Sequence, residues 1–175
     1  MAVLCMGLIP ADYAFVLHTA SPLPGGSRAE VFGEVVVGLG EVLVGNAPGR
    51  AYSFSAPKGA PGDAATLALP SKLEAHFAPE GGACLIARSD SNGEDLEGFA
   101  GAGLYESHTT RATRKSCVDY SGEPLLWDRD FRAGLVSELV GLAEGVERGA
   151  GAPQDVEGCF AGGKVYLLQS RAQVM

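Results

Sequence analysis

The chain has 175 residues, of which 46% are hydrophobic, with 25 glycines and a formal net charge of −8. That length suits one domain, or one lobe of a larger one, and the acidic balance argues against a general nucleic-acid binder, which presents a basic face. No apolar run reaches the roughly 18 residues that a membrane-spanning helix needs, so no membrane partner is expected.

Two apolar runs open the chain, residues 2–9 and Tyr13–His18. The first 22 residues lack a basic n-region and are broken by Pro10 and Asp12, so they read as core strands and not as a signal peptide. A chain that opens directly into a buried strand is expected to be part of something longer. SPLPGGS (21–27) is a Pro/Gly/Ser loop. The valine-rich stretch up to Val37 suits a strand, Gly38-Leu39-Gly40 a turn, and a second element starts at Glu41. NAPGR (46–50) is another turn, leading into the short strand AYSFS. Residues 55–66 form a surface loop or hairpin tip, and CLIAR (84–88) a short buried strand. SDSNGEDLEGFAGAGL (89–104) is too polar and glycine-rich for a core strand and reads as a structured loop.

From Arg129 to Arg148 the residues Phe131, Leu135, Leu139, Leu142 and Val146 recur at helical spacing, with Asp128 as N-cap and Gly149 as stop. The last segment, PQDVEGCFAGGKVYLLQSRAQ (153–173), reads as a hairpin. Many strands and one longer helix define an α+β class with a mostly antiparallel sheet. The four cysteines, Cys5, Cys84, Cys117 and Cys159, form no CxxC pair and are expected to be reduced and buried.

Residues two apart in a strand share a face, so Asp155 pairs with Glu157 on one side of the hairpin and Gln169 with Arg171 on the other. A three-residue loop Gly162-Gly163-Lys164 places Glu157 opposite Gln169 and Asp155 opposite Arg171. Val156, Phe160, Tyr166 and Leu168 then fall on the core face. Clustered carboxylate and amide oxygens suit Mg²⁺, and a guanidinium suits a phosphate. The same pattern also describes a surface cross-strand ion pair. Arg88 ends a strand ahead of a glycine-rich acidic loop; it can reach a phosphate, or pair with Glu94 or Asp95. Of the three histidines, His18 follows an apolar strand, while His76 and His108 read as surface or local structural residues that nothing pairs with a base. The positive run ATRKS (112–116) reads as solvated.

Four stretches together resemble one family: RSDSNGEDLEGFAGAGLYES, VVVGLGEVLVGNAPGRAYSF, ADYAFVLHTASP and PQDVEG…GKVYLLQSR. They are similar to the C-terminal nucleotide-binding region of the plant and algal α-glucan, water dikinases. GLGE and the terminal hairpin are shared more widely, with pyruvate, phosphate dikinase and phosphoenolpyruvate synthase. The resemblance implies that residues 1–175 are the C-terminal part of an ATP-grasp nucleotide-binding domain, and a fragment of the whole enzyme. It implies ATP and Mg²⁺ as cofactors, with Glu157 and Gln169 on the metal, Asp155 as their acidic neighbour, and Arg171 on the transferred phosphate. Arg88 is implied on nucleotide phosphates. Glu41, the acid of GLGE, is left between nucleotide recognition and structure, and Arg50 between a phosphate contact and none.

The implied reaction passes the β-phosphate of ATP to a histidine on another domain and on to α-glucan (starch), while the γ-phosphate goes to water, in the plastid stroma. Neither the phosphohistidine motif nor the lobe carrying the usual lysine is matched in this chain. The chain by itself is therefore expected to bind Mg–ATP weakly and not to phosphorylate glucan. Ser170 and Ala172 depart from the family's usual QTRPQ ending. A phosphoglucan or pyruvate-type dikinase, and a degenerate nucleotide-binding module, are the competing readings.

Overall fold

The computed structural model describes residues 2–59, 65–90, 95–96, 99–100 and 107–173. In chain order the elements are β1 (Ala2–Gly7), β2 (Tyr13–His18), β3 (Glu30–Val37), α1 (Glu41–Val44), β4 (Tyr52–Pro57), β5 (Ala65–Ala68), β6 (Glu74–Phe77) and β7 (Leu85–Asp90). Then come β8 (Asp95–Leu96), β9 (Phe99–Ala100), β10 (His108–Thr109), β11 (Arg114–Cys117), α2 (Pro124–Trp127), α3 (Arg129–Ala150), β12 (Gln154–Ala161) and β13 (Lys164–Ala172). The expected α+β class, mostly antiparallel with one longer helix, is what is found. The loop expected at 89–104 is corrected at its start, where Ser89 and Asp90 extend β7; beyond them only β8 and β9 are described, and the other residues of that stretch lie outside the described set.

The main sheet has six antiparallel strands in the order β13-β12-β2-β3-β4-β5. Its two faces follow from the period of two. Phe15, Leu17, Val31, Val35, Phe54, Val156 and Phe160 point to one face and pack against Leu135, Val136, Leu139, Val140 and Ala143 of α3. The helix forms where its apolar spacing predicts. Asp128 caps it, accepting from the Phe131 N–H at 2.9 Å. It runs past the expected stop at Gly149 and ends at Gly151, whose φ of 73° is the left-handed C-terminal geometry.

The opposite face is covered over part of its area by a smaller cluster: Ala11, Ala14, Val36, Leu39, Val42 and Cys159, with Leu168 packed against it. Burial pushes the Cys159 thiol up to about 11, with the nearby Asp12 carboxylate adding to the shift. The expectation of four buried cysteines is corrected here. Cys84 and Cys159 are buried, whereas Cys5 and Cys117 are exposed.

The first apolar run does not enter the main core. β1 pairs with β7, which also carries β10, in a separate three-stranded sheet. Val3 and Leu4 remain 63% and 51% exposed, and Leu85 48%. Apolar composition dictated strands there, but not a layer to cover them. β6 pairs with β11 in a two-stranded arm, which touches the main body where the Leu39 N–H donates to the His76 carbonyl at 2.7 Å.

The terminal hairpin reaches the expected pairing by an unexpected route. Asp155 is opposite Arg171 and Glu157 opposite Gln169. The turn, however, is the two-residue Gly162-Gly163, both at positive φ, with Ala161 paired to Lys164. This shifts the first half of the ladder by one. A bulge then restores the register: Gly158 pairs with Leu167 and Glu157 with Gln169, leaving Leu168 as the extra residue. The bulge also corrects the expected core face. Val165, not Tyr166, packs toward α3; Leu168 joins the smaller cluster on the other face, and Tyr166 is exposed.

Candidate functional site

The face of the main sheet away from α3 carries two rows of polar side chains. One row runs Arg171, Asp155, His18, Phe32, Ser55 across β13, β12, β2, β3 and β4; the next runs Gln169, Glu157, Val16, Glu34, Ser53. These rows exist because the ladder register aligns the terminal hairpin's polar residues with His18 and Glu34 on one face, while the alternating Leu17, Val35 and Val156 point to the helix.

Within the first row Asp155 is held from both sides. Its Oδ1 lies 2.7 Å from His18 Nδ1, and its Oδ2 lies 3.6 Å from Arg171 Nε. The His18 ring stacks on Phe32, with centroids 5.9 Å apart. In the second row, Arg88 arrives from β7 of the other sheet and donates through Nη2 to Glu157 Oε2 at 3.3 Å. The side chains of Arg88, Asp155, Glu157 and Arg171 are about three-quarters buried, so their attraction is less screened than at an open surface. Beside Arg88 and Glu157 opens a mainly apolar cleft lined by Met6, Ile9, Leu43, Ile86 and Leu168.

Five of the six expected site residues thus share this region: Arg88, Asp155, Glu157, Gln169 and Arg171. Glu41 sits apart. Its carboxylate meets His76 Nδ1 and takes the Thr113 hydroxyl at 3.4 Å, while His76 Nε2 lies 2.7 Å from Glu74 Oε1. Lys115 Nζ stands 3.5 Å from the same Glu74 oxygen. The bond to His76, and then the Lys115 charge, hold the Glu74 carboxyl below its ordinary range. Arg50 lines a second, polar cleft with Glu34, Asn46, Ser53 and the buried Lys72.

The expectation that nothing pairs His76 with a base is corrected: Glu41 and Glu74 meet its two ring nitrogens. The Glu41 partner lies 35 residues away, and the Asp155 partner of His18 137 residues away, beyond the reach of local pattern. Nor is ATRKS wholly solvated: Arg114 lies over the Phe77 ring at 5.0 Å.

The donor set can be tested against a metal on its own chemistry. Among the described residues no three His, Cys, Asp or Glu side chains form a closed cage. Asp155 is already engaged by His18 and Arg171. Glu157, whose Oε2 takes Arg88 and whose Oε1 has no other cation on it among the described residues, and Gln169 supply a carboxylate and an amide on opposed residues of one strand pair. That fits Mg²⁺ shared with phosphate oxygens and water, and does not fit a metal held by protein alone.

The terminal hairpin thus groups Asp155, Glu157, Gln169 and Arg171 on one face of the main sheet, and Arg88 joins them from the second sheet; carboxylate and amide oxygens beside guanidinium groups are donors of the kind that suit a divalent cation and phosphate. No family model matches the chain. By pairwise comparison it is 46% identical over 174 residues to an α-glucan water dikinase, chloroplastic, of Solanum tuberosum. It is 45% identical to α-glucan water dikinase 2 of Arabidopsis thaliana, and 45% to a chloroplastic α-glucan water dikinase of Citrus reticulata. Each match covers 99% of this chain and 12–13% of the relative. By sequence, the chain belongs to the α-glucan water dikinase family, and it spans about one eighth of the length of those relatives.

Proposed function

We propose that the chain is the ATP-binding portion of a plastid enzyme that phosphorylates α-glucan, built as an ATP-grasp-like lobe. Glu157 and Gln169 hold Mg²⁺, which when bound offsets the charge of the polyphosphate. Arg88 and Arg171 contact phosphate oxygens, and Asp155 orients the Arg171 guanidinium. The apolar cleft beside Arg88 takes the base. The β-phosphate passes to a histidine elsewhere in the longer protein and from there to glucan, which other domains bind; the γ-phosphate passes to water.

One observation carries this reading: the Glu157–Gln169 and Asp155–Arg171 pairs are stacked on one face, and Arg88 is brought onto Glu157 from a different sheet. A surface cross-strand ion pair explains Asp155 and Arg171, but gives no reason for a second arginine to reach the neighbouring carboxylate. Calorimetric titration with Mg–ATP tests the reading. Weak binding is expected, lost in Glu157→Ala and Gln169→Ala. A folded chain that fails to bind at saturating Mg–ATP, or binds equally well in both variants, contradicts it. With ATP labelled at the β-phosphate, no label is expected to reach glucan from this chain alone.

A further inference from the structure

We propose that His18, oriented by Asp155, is the proton acceptor for the water that takes the terminal phosphoryl group. The proposal rests on the nucleotide reading above and assigns a role that reading leaves vacant. A carboxylate only accepts hydrogen bonds, so the 2.7 Å contact with Asp155 Oδ1 requires the proton on His18 Nδ1. In the neutral ring this leaves the lone pair on Nε2. Among the described residues Nε2 has no protein partner. The Phe32 ring fixes the imidazole plane, and β-sheet register puts His18 directly opposite Asp155, on the face that carries Glu157, Gln169 and Arg171.

The other acids on this face are less suited to the task. Asp155 is engaged through both oxygens. Glu157 is paired with Arg88. Glu34 lies on the far side of Val16, accepts the Ser53 hydroxyl and lines the separate cleft beneath Arg50. Among the described residues on this face, His18 alone combines an orienting carboxylate with a ring nitrogen that no protein group engages.

The step balances as a hydrolysis. The water oxygen bonds to the terminal phosphorus. The bond from that phosphorus to the bridging oxygen breaks, and its electron pair leaves with the bridging oxygen. The water proton moves to His18 Nε2, giving an imidazolium whose Nδ1–H still faces Asp155; the Nε2 proton then returns to solvent and restores the base. No redox partner is needed. Base catalysis of this kind typically contributes about 10²–10⁴-fold.

The test begins with ¹⁵N spectra of the histidine rings in the free chain. The neutral His18 ring is expected as the Nδ1–H tautomer, and Asp155→Asn is expected to abolish that preference; an Nε2–H tautomer overturns the dyad independently of any nucleotide. Mg²⁺ with the non-hydrolysable adenosine 5′-(β,γ-imido)triphosphate is then added. The His18 Nε2 signal should shift and that of His108, on β10, should not. Bound analogue with an unmoved His18 overturns the proposal. Failure of the analogue to bind overturns the nucleotide reading and the proposal with it, whatever the tautomer. In phosphate release from ATP, His18→Asn should lose about 100-fold or more while analogue affinity stays within about threefold; an unchanged rate, or a phosphorylated His18, overturns the assignment.

Discussion

Gly158→Ala probes the bulge on which the alignment of the site depends. A Cβ built at Gly158 lies 2.3 Å from Phe15 Cζ and 2.5 Å from the Tyr166 carbonyl oxygen. Ordinary contact distances are about 3.5–4.0 Å, so each neighbour must retreat by about 1 Å. Neither can do so freely. Phe15 is a fully buried ring in the main core, and the Tyr166 carbonyl is backbone of the paired strand. Overpacking of this kind costs about 1–3 kcal/mol, and the rigid carbonyl puts this case in the upper half of that range. For a domain of this size, a loss of about 2–3 kcal/mol lowers Tm by about 4–12 °C.

Urea and thermal unfolding followed by circular dichroism measure the effect. Gly145→Ala is the internal control, because nothing lies within 4 Å of its Cβ on the outer side of α3; there the same substitution should stabilise by about 0.5–1 kcal/mol. If Gly158→Ala is within about 0.5 kcal/mol of the parent, the close packing argued for the bulge is wrong. Deleting Leu168 is the sharper companion: it removes the extra residue and leaves a continuous ladder in which Glu157 still faces Gln169 and Asp155 still faces Arg171, so cross-strand contacts between these pairs should survive it.

Three further outcomes follow from the same geometry. Cys5 and Cys117 should react readily with a thiol reagent at neutral pH, while Cys159, buried and pushed up to about 11, should react only on unfolding; early modification of Cys159, read by mass spectrometry, contradicts its placement. Burial pulls the Glu147 carboxyl upward, but the bonds from Lys58 and Thr19 and the charges of Lys58 and Arg28 outweigh it and hold it below its ordinary value of 4.5. Because the folded state lowers this group's proton affinity, its contribution is complete above that value and is lost as pH falls through the folded one. Lys58→Met should therefore flatten the acid limb of a stability–pH curve, and an unaltered limb refutes the role of the 2.6 Å Lys58–Glu147 pair. His76→Ala should free Glu41 and loosen the β6–β11 arm, seen as faster exchange of the Leu39 amide that is bonded to the His76 carbonyl; unchanged exchange argues that the backbone contacts alone hold the arm.

The polar face of the hairpin was legible because a period of two is local information: Asp155, Glu157, Gln169 and Arg171 fall into pairs whatever the rest of the chain does. The two-residue Gly162-Gly163 turn and the bulge at Leu168 were not legible separately, yet each displaces the register by one in opposite senses, so the pairing at the site survives. The α3 helix was legible for the same local reason, from Phe131 to Val146. What pattern did not convey was long-range placement. Nothing near Arg88 says that it meets Glu157, 69 residues on, in preference to Glu94 or Asp95. Likewise His18 follows an apolar strand like any strand-end residue, and its partner Asp155 is defined only when β2 and β12 become neighbours. Val3 and Leu4 were misassigned to the core because hydropathy records preference for burial, while exposure depends on whether another layer is there to cover the strand.

Mn²⁺–ATP, used as a paramagnetic probe on the ¹⁵N-labelled chain, shows whether the Glu157–Gln169 face binds a metal–nucleotide complex. Selective broadening of amides at 155–158, 169–171 and 16–18 is expected, reversed by excess Mg–ATP and absent in Glu157→Ala. Broadening centred on the cleft of Glu34, Arg50 and Lys72, or spread evenly over the acidic surface, would contradict it.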